Sequence, residues 1–272
     1  MDEKMKTKSD LNKKAQVTIF IILALLLVVV IAILFVLIKQ PQISNPLDEK
    51  DPQQYMDLCV KDAVKEAVDI MMPQGGYLVP NNSKLYGGKE IAYLCYNRED
   101  YLPCVNQEPL LIEHLEQEIT DYINPRVENC FQGLKASLEK KNNQVSMGNS
   151  ELKSRLTIKQ INIDITKEMS IINGNDEQKF SNFNIKITSP LYDLAKITNE
   201  IVNQESLYCE FDYVSYMMLY PEYKIERYLS GSAEEGYDKD STRIYTITEK
   251  SSGKSFRFAI KGCTIPPGYK PR

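Results

Sequence analysis

Residues 155–166 read RLTIKQINIDIT. Leu156 and Ile158 alternate with polar neighbours, and Ile161, Ile163 and Ile165 do so again after a one-residue shift at Gln160. Period-two alternation sends successive side chains to opposite faces, the pattern of a half-buried strand. The shift predicts a β-bulge at Gln160. Outward from this stretch, Met169 and Ile171 continue to Asn173-Gly174, a turn signal, and Phe183, Ile185 and Ile187 alternate on the return. An antiparallel hairpin is predicted.

On either side the period becomes helical. Upstream, Asp51 can cap and Pro52 can open a helix over about 52–72, with Cys59, Ala63, Ala67 and Ile70 on its buried face. Pro73-Gln74-Gly75-Gly76 ends it in a turn, since no dinucleotide or Walker pattern surrounds those glycines. Residues 77–108 read as a loop packed over the core by Tyr77, Tyr86, Tyr93, Tyr96 and Tyr101. Leu111, Leu115, Ile119, Tyr122 and Ile123, then Val127, Cys130, Phe131, Leu134 and Leu138, predict a second helix from Pro109, kinked or broken at Pro125. Residues 139–150 read as a polar connection. Downstream, Ser189-Pro190 opens a third helix carrying Leu191, Leu194, Ile197, Ile201 and Leu207 and ending before Pro221. RIYTIT (243–248) and SFRFAI (255–260) predict a second strand pair turning at Ser251-Ser252-Gly253. This order of helices and hairpins predicts an α+β fold of amphipathic helices packed on antiparallel hairpins or sheet.

Before this domain, residues 17–38 contain no charged residue. A helical run of that length matches a hydrocarbon core, so one N-terminal transmembrane helix is expected over 16–38. Lys4, Lys6, Lys8, Lys13 and Lys14 precede it, which predicts a cytoplasmic N-terminus and a domain outside. The expected plan is a basic tail over 1–15, the span, a linker over 39–50 and an exported domain over 51–272, with a sub-boundary near 140–152. The lipid bilayer is then a partner, with other envelope proteins or self-association through the span as further candidates.

All six cysteines follow the apolar run. An even count in an exported domain predicts disulfides, and six cysteines allow 15 pairings. Local geometry suggests Cys95 with Cys104 across a short loop, Cys59 with Cys130 between two helices, and Cys209 with Cys263. Asn81-Asn82-Ser83 is an N-glycosylation sequon at Asn81.

No catalytic residue, cofactor site or metal site is picked out. The single histidine, His114, has only Cys130 to offer as a nucleophile, with no orienting signature around it. Asp238-Lys239-Asp240-Ser241-Thr242 imitates a phosphotransfer motif, but GSAEEGY before it is not a strand. With Glu234 and Glu235 this run also has oxygen ligands for calcium, without the glycine and terminal glutamate of an EF-hand loop. A net charge of −4 with scattered lysines and arginines disfavours nucleic acid as a partner.

Lys13-Lys14-Ala15-Gln16-Val17-Thr18, leading into the apolar run, resembles the archaeal class III signal sequence of archaellins and type IV pilins. The resemblance implies cleavage between Ala15 and Gln16 and packing of the freed helix into a filament. Phe20 stands where those proteins commonly carry Glu, and Ala15 where many carry Gly. More widely, KKAQVTIFIILALLL, CVKDAVKEAVDIMMPQGGYLVP and IEHLEQEITDYINPRVENC resemble uncharacterised single-pass exported proteins of small-genome archaea. That likeness implies the tethered α+β layout and no reaction. The expectation is a membrane-anchored extracytoplasmic protein with a structural or binding role at the cell envelope and no enzymatic activity. A minor pilin-like subunit and an exported carboxylate- or calcium-dependent hydrolase are the alternatives.

Overall fold

The computed structural model describes residues 26–28, 51–99, 102–229 and 242–262. The chain divides into two compact units, Met1–Leu47 and Asp48–Arg272. Of the first, Leu26–Val28 are described, and they are helical and exposed.

The expected transmembrane helix over 16–38 is corrected here, together with the single-pass membrane localisation built on it. Among the described residues no helix is long and apolar enough to cross a membrane. A crossing takes about 20 apolar residues. The apolar run contributes three described residues, and the long helices of the second unit each carry a charged face. The signal junction Ala15-Gln16 lies outside the described residues.

The second unit is mixed α and β. Helix α1 (Pro52–Met71) starts where the Asp51 carboxylate accepts from the Gln53 and Gln54 amides, at 3.0 and 3.4 Å. Its buried face is Met56, Val60, Ala63, Val64, Ala67, Val68 and Met71, while Cys59 lies at its edge. A 3-10 turn (Met72–Gln74) leads to Gly75 and Gly76, both at positive φ. A Cβ at Gly75 would meet the Ala92 Cβ at 2.8 Å, and one at Gly76 the Leu115 side chain at 2.8 Å, so only glycine fits this tight turn.

Residues 77–108 are not loop throughout. They hold β1 (Ser83–Tyr86), β2 (Lys89–Tyr96) and the short β3 (Val105–Asn106). Helix α2 (Leu111–Glu139) is one unbroken helix with Pro125 inside it. Pro125 is exposed, so its missing N–H and its ring face solvent while Ile123 and Val127 stay buried. Its buried stripe runs from Leu111 to Leu138, each fully buried apolar side chain contributing about 1.5–3 kcal/mol.

The stretch around 155–166 is a three-stranded antiparallel meander, β4 (Gln144–Thr157), β5 (Gln160–Asn173) and β6 (Asp176–Thr188). The phase shift at Gln160 is a turn rather than a bulge. Thr157 pairs with Gln160, and Lys159 between them takes φ 59°. Each strand's alternation is regular, but the chain reverses between them. Bulges lie elsewhere, between Met147 and Ser150 and between Thr166 and Met169. The polar connection expected up to residue 150 is largely β4, whose outer face is solvated.

The third helix is two. Helix α3 (Leu191–Tyr208) stops at Cys209, which takes φ 57°, and α4 (Tyr213–Leu219) follows. The buried stripe of α3 passes through Glu205, whereas Leu207 is 65% exposed. The last strands are β7 (Tyr223–Leu229), β8 (Thr242–Glu249) and β9 (Ser255–Lys261). They join β1–β3 in a six-stranded sheet of order β1-β2-β9-β8-β7, with β3 on β2. The β2–β9 pair is parallel, which corrects the expectation of a purely antiparallel sheet. One continuous apolar core runs through α1, α2, α3 and both sheets, without a break at 140–152.

Candidate functional site

The turn between β4 and β5 projects Lys159 toward the turn between β8 and β9. A lysine in the left-handed region costs about 1–2 kcal/mol. Here three contacts hold it. Its amide donates to Asp193 Oδ2 at 3.3 Å, its carbonyl accepts from the Ser189 amide at 3.1 Å, and its Nζ is ion-paired with Glu249 Oε1. Glu249 is buried, and its other oxygen accepts from Ser252 Oγ at 2.6 Å. Desolvation pushes the Glu249 carboxyl up, but the hydrogen bonds from Lys159 and Ser252 outweigh it and hold the group below the usual carboxylate range. Lys159 in turn is raised above an ordinary lysine, chiefly by its hydrogen bond to Glu249, so it stays charged.

These groups form one rim of a cavity of about 200 Å³. Its apolar lining is Val64 and Val68 from α1, Met72 from the 3-10 turn, Ile161 from β5, Ile187 from β6 and Pro190. The rim also carries a second ion pair, Lys254 Nζ with Asp69 Oδ1 at 2.6 Å, which ties the β8–β9 turn to α1. Lys65 completes the rim. Two ion pairs on four elements thus frame an apolar floor, a shape suited to holding a ligand that is part apolar and part polar.

The sequence-predicted residues lie elsewhere. Cys59 and Cys130 are disulfide-bonded and join α1 to α2, and Cys95 is bonded to Cys104 beside the β2–β3 pair. Cys209 is also disulfide-bonded, and Cys263 lies outside the described residues. Bonding of Cys130 removes the thiol that His114 would have needed. His114 sits instead against the Tyr77 ring, centroids 4.2 Å apart, with its Nδ1 3.7 Å from Glu108. Asn81 is exposed just before β1. The acidic run 234–241 lies outside the described residues. Among the described residues no group of three or more His, Cys, Asp or Glu is placed to hold a metal. Of the tyrosines, Tyr86, Tyr93 and Tyr96 pack over Ile91, Ile244 and Ala259 on the six-stranded sheet.

Two further charged clusters escaped the sequence reading. Lys167, 4% exposed, points inward from β5 and donates to both oxygens of Glu128 at 3.1 and 3.0 Å, with Ser150 also on that carboxylate. Glu205, 0% exposed, accepts from Arg243 and from the Tyr245 hydroxyl, and Arg243 also donates to the Cys209 carbonyl at 2.7 Å. Burial pushes the Glu205 carboxyl up despite Arg243 and Tyr245, and burial beside Glu205 raises the Tyr245 hydroxyl too. Lys167 and Glu205 were legible in principle, as charges inside an apolar period. Lys159 was legible only as the phase slip.

No protein-family model, no curated protein and no solved structure matches this chain.

Proposed function

We propose that the second unit is a disulfide-stapled binding domain for an oxidising compartment, taking a small ligand into the cavity between α1, β6 and the β8–β9 turn. No reaction is assigned to it. The observation that carries this reading is the framing of an apolar floor by the Lys159–Glu249 and Lys254–Asp69 ion pairs. The Lys254–Asp69 pair is about half exposed and contributes little to stability, and Lys159, which pairs with the buried Glu249, occupies a strained backbone position. Such an arrangement has a better explanation in ligand placement than in folding energy. The disulfides support an oxidising setting, since cytosolic thiols are kept reduced.

The test is a fragment screen of the full oxidised chain by amide chemical shifts. Binding in this cavity moves the amides of Val68, Ile187 and Lys254 together. Fragment responses that avoid these residues altogether would sink the reading.

A further inference from the structure

We propose that the ligand of this cavity is a small organic monoanion with an apolar body, an aromatic or branched aliphatic carboxylate. The proposal deepens the binding reading above and rests on it.

Size comes first. A cavity of about 150 Å³ lined by aliphatic and aromatic groups takes up benzene, and a water's share of liquid volume is about 30 Å³. The 200 Å³ here, open to solvent on one side, has room for one ring or a short branched chain with a polar head. The floor of Val64, Val68, Met72, Ile161, Ile187 and Pro190 offers it apolar contact. A sugar or nucleotide would set hydroxyl groups without partners against that floor, a desolvation cost that an apolar body does not carry.

Charge comes next. The lining carries three lysines, Lys65, Lys159 and Lys254, and two carboxylates, Asp69 and Glu249. Each carboxylate is already held by a lysine at hydrogen-bonding distance, Glu249 by Lys159 and Asp69 by Lys254. A ligand cation would have to compete with those lysines. Lys65 is different. Its ion-pair partner Asp62 stands at 3.9 Å, and both side chains are more than half exposed. Lys65 is therefore the rim cation that can turn to a ligand without breaking a close pair. One available positive charge above an apolar floor selects a single negative charge on an apolar body.

Three isosteric probes separate the possibilities: phenylacetate, 2-phenylethanol and phenethylamine, titrated into the full oxidised chain and followed by amide shifts. The expected result is saturable movement of the cavity amides by phenylacetate, at least about five-fold tighter than by the alcohol, with the amine weakest. Added salt weakens phenylacetate and leaves the alcohol unchanged. Lys65→Met, at an exposed site that does not endanger folding, weakens phenylacetate up to about five-fold and leaves the alcohol within two-fold. If the alcohol or the amine binds the cavity as well as the carboxylate, the monoanion assignment fails while the binding reading stands. If phenylacetate moves only scattered surface-lysine amides without saturating, the assignment fails as well. If none of the three probes moves the cavity amides, while fragments of other chemistry do, the assignment alone is overturned. If no compound of any kind moves them, both readings fall.

Discussion

Each strand of the meander pairs with its neighbour in sequence, whereas the six-stranded sheet closes by pairing Tyr93 of β2 with Ala259 of β9. The two sheets also differ in how they tolerate an inward charge. Lys167 of the meander faces a Glu128 whose side chain remains 38% exposed, so water shares in the pair. Glu205 under the other sheet has no such outlet and depends on Arg243 and Tyr245. The difference teaches that a local hairpin sheet can be covered loosely by helices, while a sheet assembled from distant strands is tied to α3 by a buried polar cluster.

Changes at these points test the comparison. The largest effect is expected at Glu205→Ala, which strands Arg243 and Tyr245 in the core and costs about 3–5 kcal/mol in denaturant unfolding. A loss under 1 kcal/mol would show that the cluster is not what ties α3 to the sheet. Next comes removal of the staple between α1 and α2 by Cys59→Ser with Cys130→Ser. It closes a sequence separation of 71, worth about 4 kcal/mol on loop entropy, against about 3 kcal/mol for Cys95 and Cys104 with a separation of 9. Reversal of that order would mean that the β2–β3 edge, not the helical layer, limits stability. Lys167→Met keeps the buried stem and leaves Glu128 to water, so a loss of only about 1 kcal/mol is expected by thermal or denaturant melting. A loss comparable with Glu205→Ala would erase the distinction between the sheets.

The smallest effect is in pH dependence, and its sign differs between the sheets. Glu205 is raised when folded, so its contribution is full below the ordinary carboxylate value of 4.5 and fades as pH rises through its folded value. Glu205→Gln should flatten that decline. Glu128, held down by Ser150 and Lys167 against desolvation, contributes above 4.5 and loses that contribution as pH falls through its folded value. Denaturation midpoints between pH 3 and 7 give the two slopes, and equal slopes in wild type and Glu205→Gln would contradict this assignment.

What could be read in advance follows from range. The stripe of α2 from Leu111 to Leu138, the Asp51 cap and the turns at Asn173-Gly174 and Ser251-Ser252-Gly253 are local patterns, and the structure holds each of them. The α+β composition followed from the same patterns. Strand β2 was missed because a strand buried on both faces lacks alternation, being buried at five consecutive positions, Ile91 to Cys95, while β1 and β3 are four and two residues long, too short to show a period. The membrane helix was inferred from length and apolarity alone, and no helix among the described residues meets those two criteria.

Sequence by itself determined the turns at Asn173-Gly174 and Ser251-Ser252-Gly253 and which helix faces are apolar, because these depend on neighbours within a few residues. RLTIKQINIDIT read as one strand with a bulge at Gln160, where the structure has two strands joined by a turn. Only the tertiary structure decided that this turn carries Lys159 to Glu249, that β2 lies beside β9 and that Glu205 lies under Tyr245. Those juxtapositions depend on which distant surfaces bury one another, a choice made by the packing of the whole core and not by any one segment.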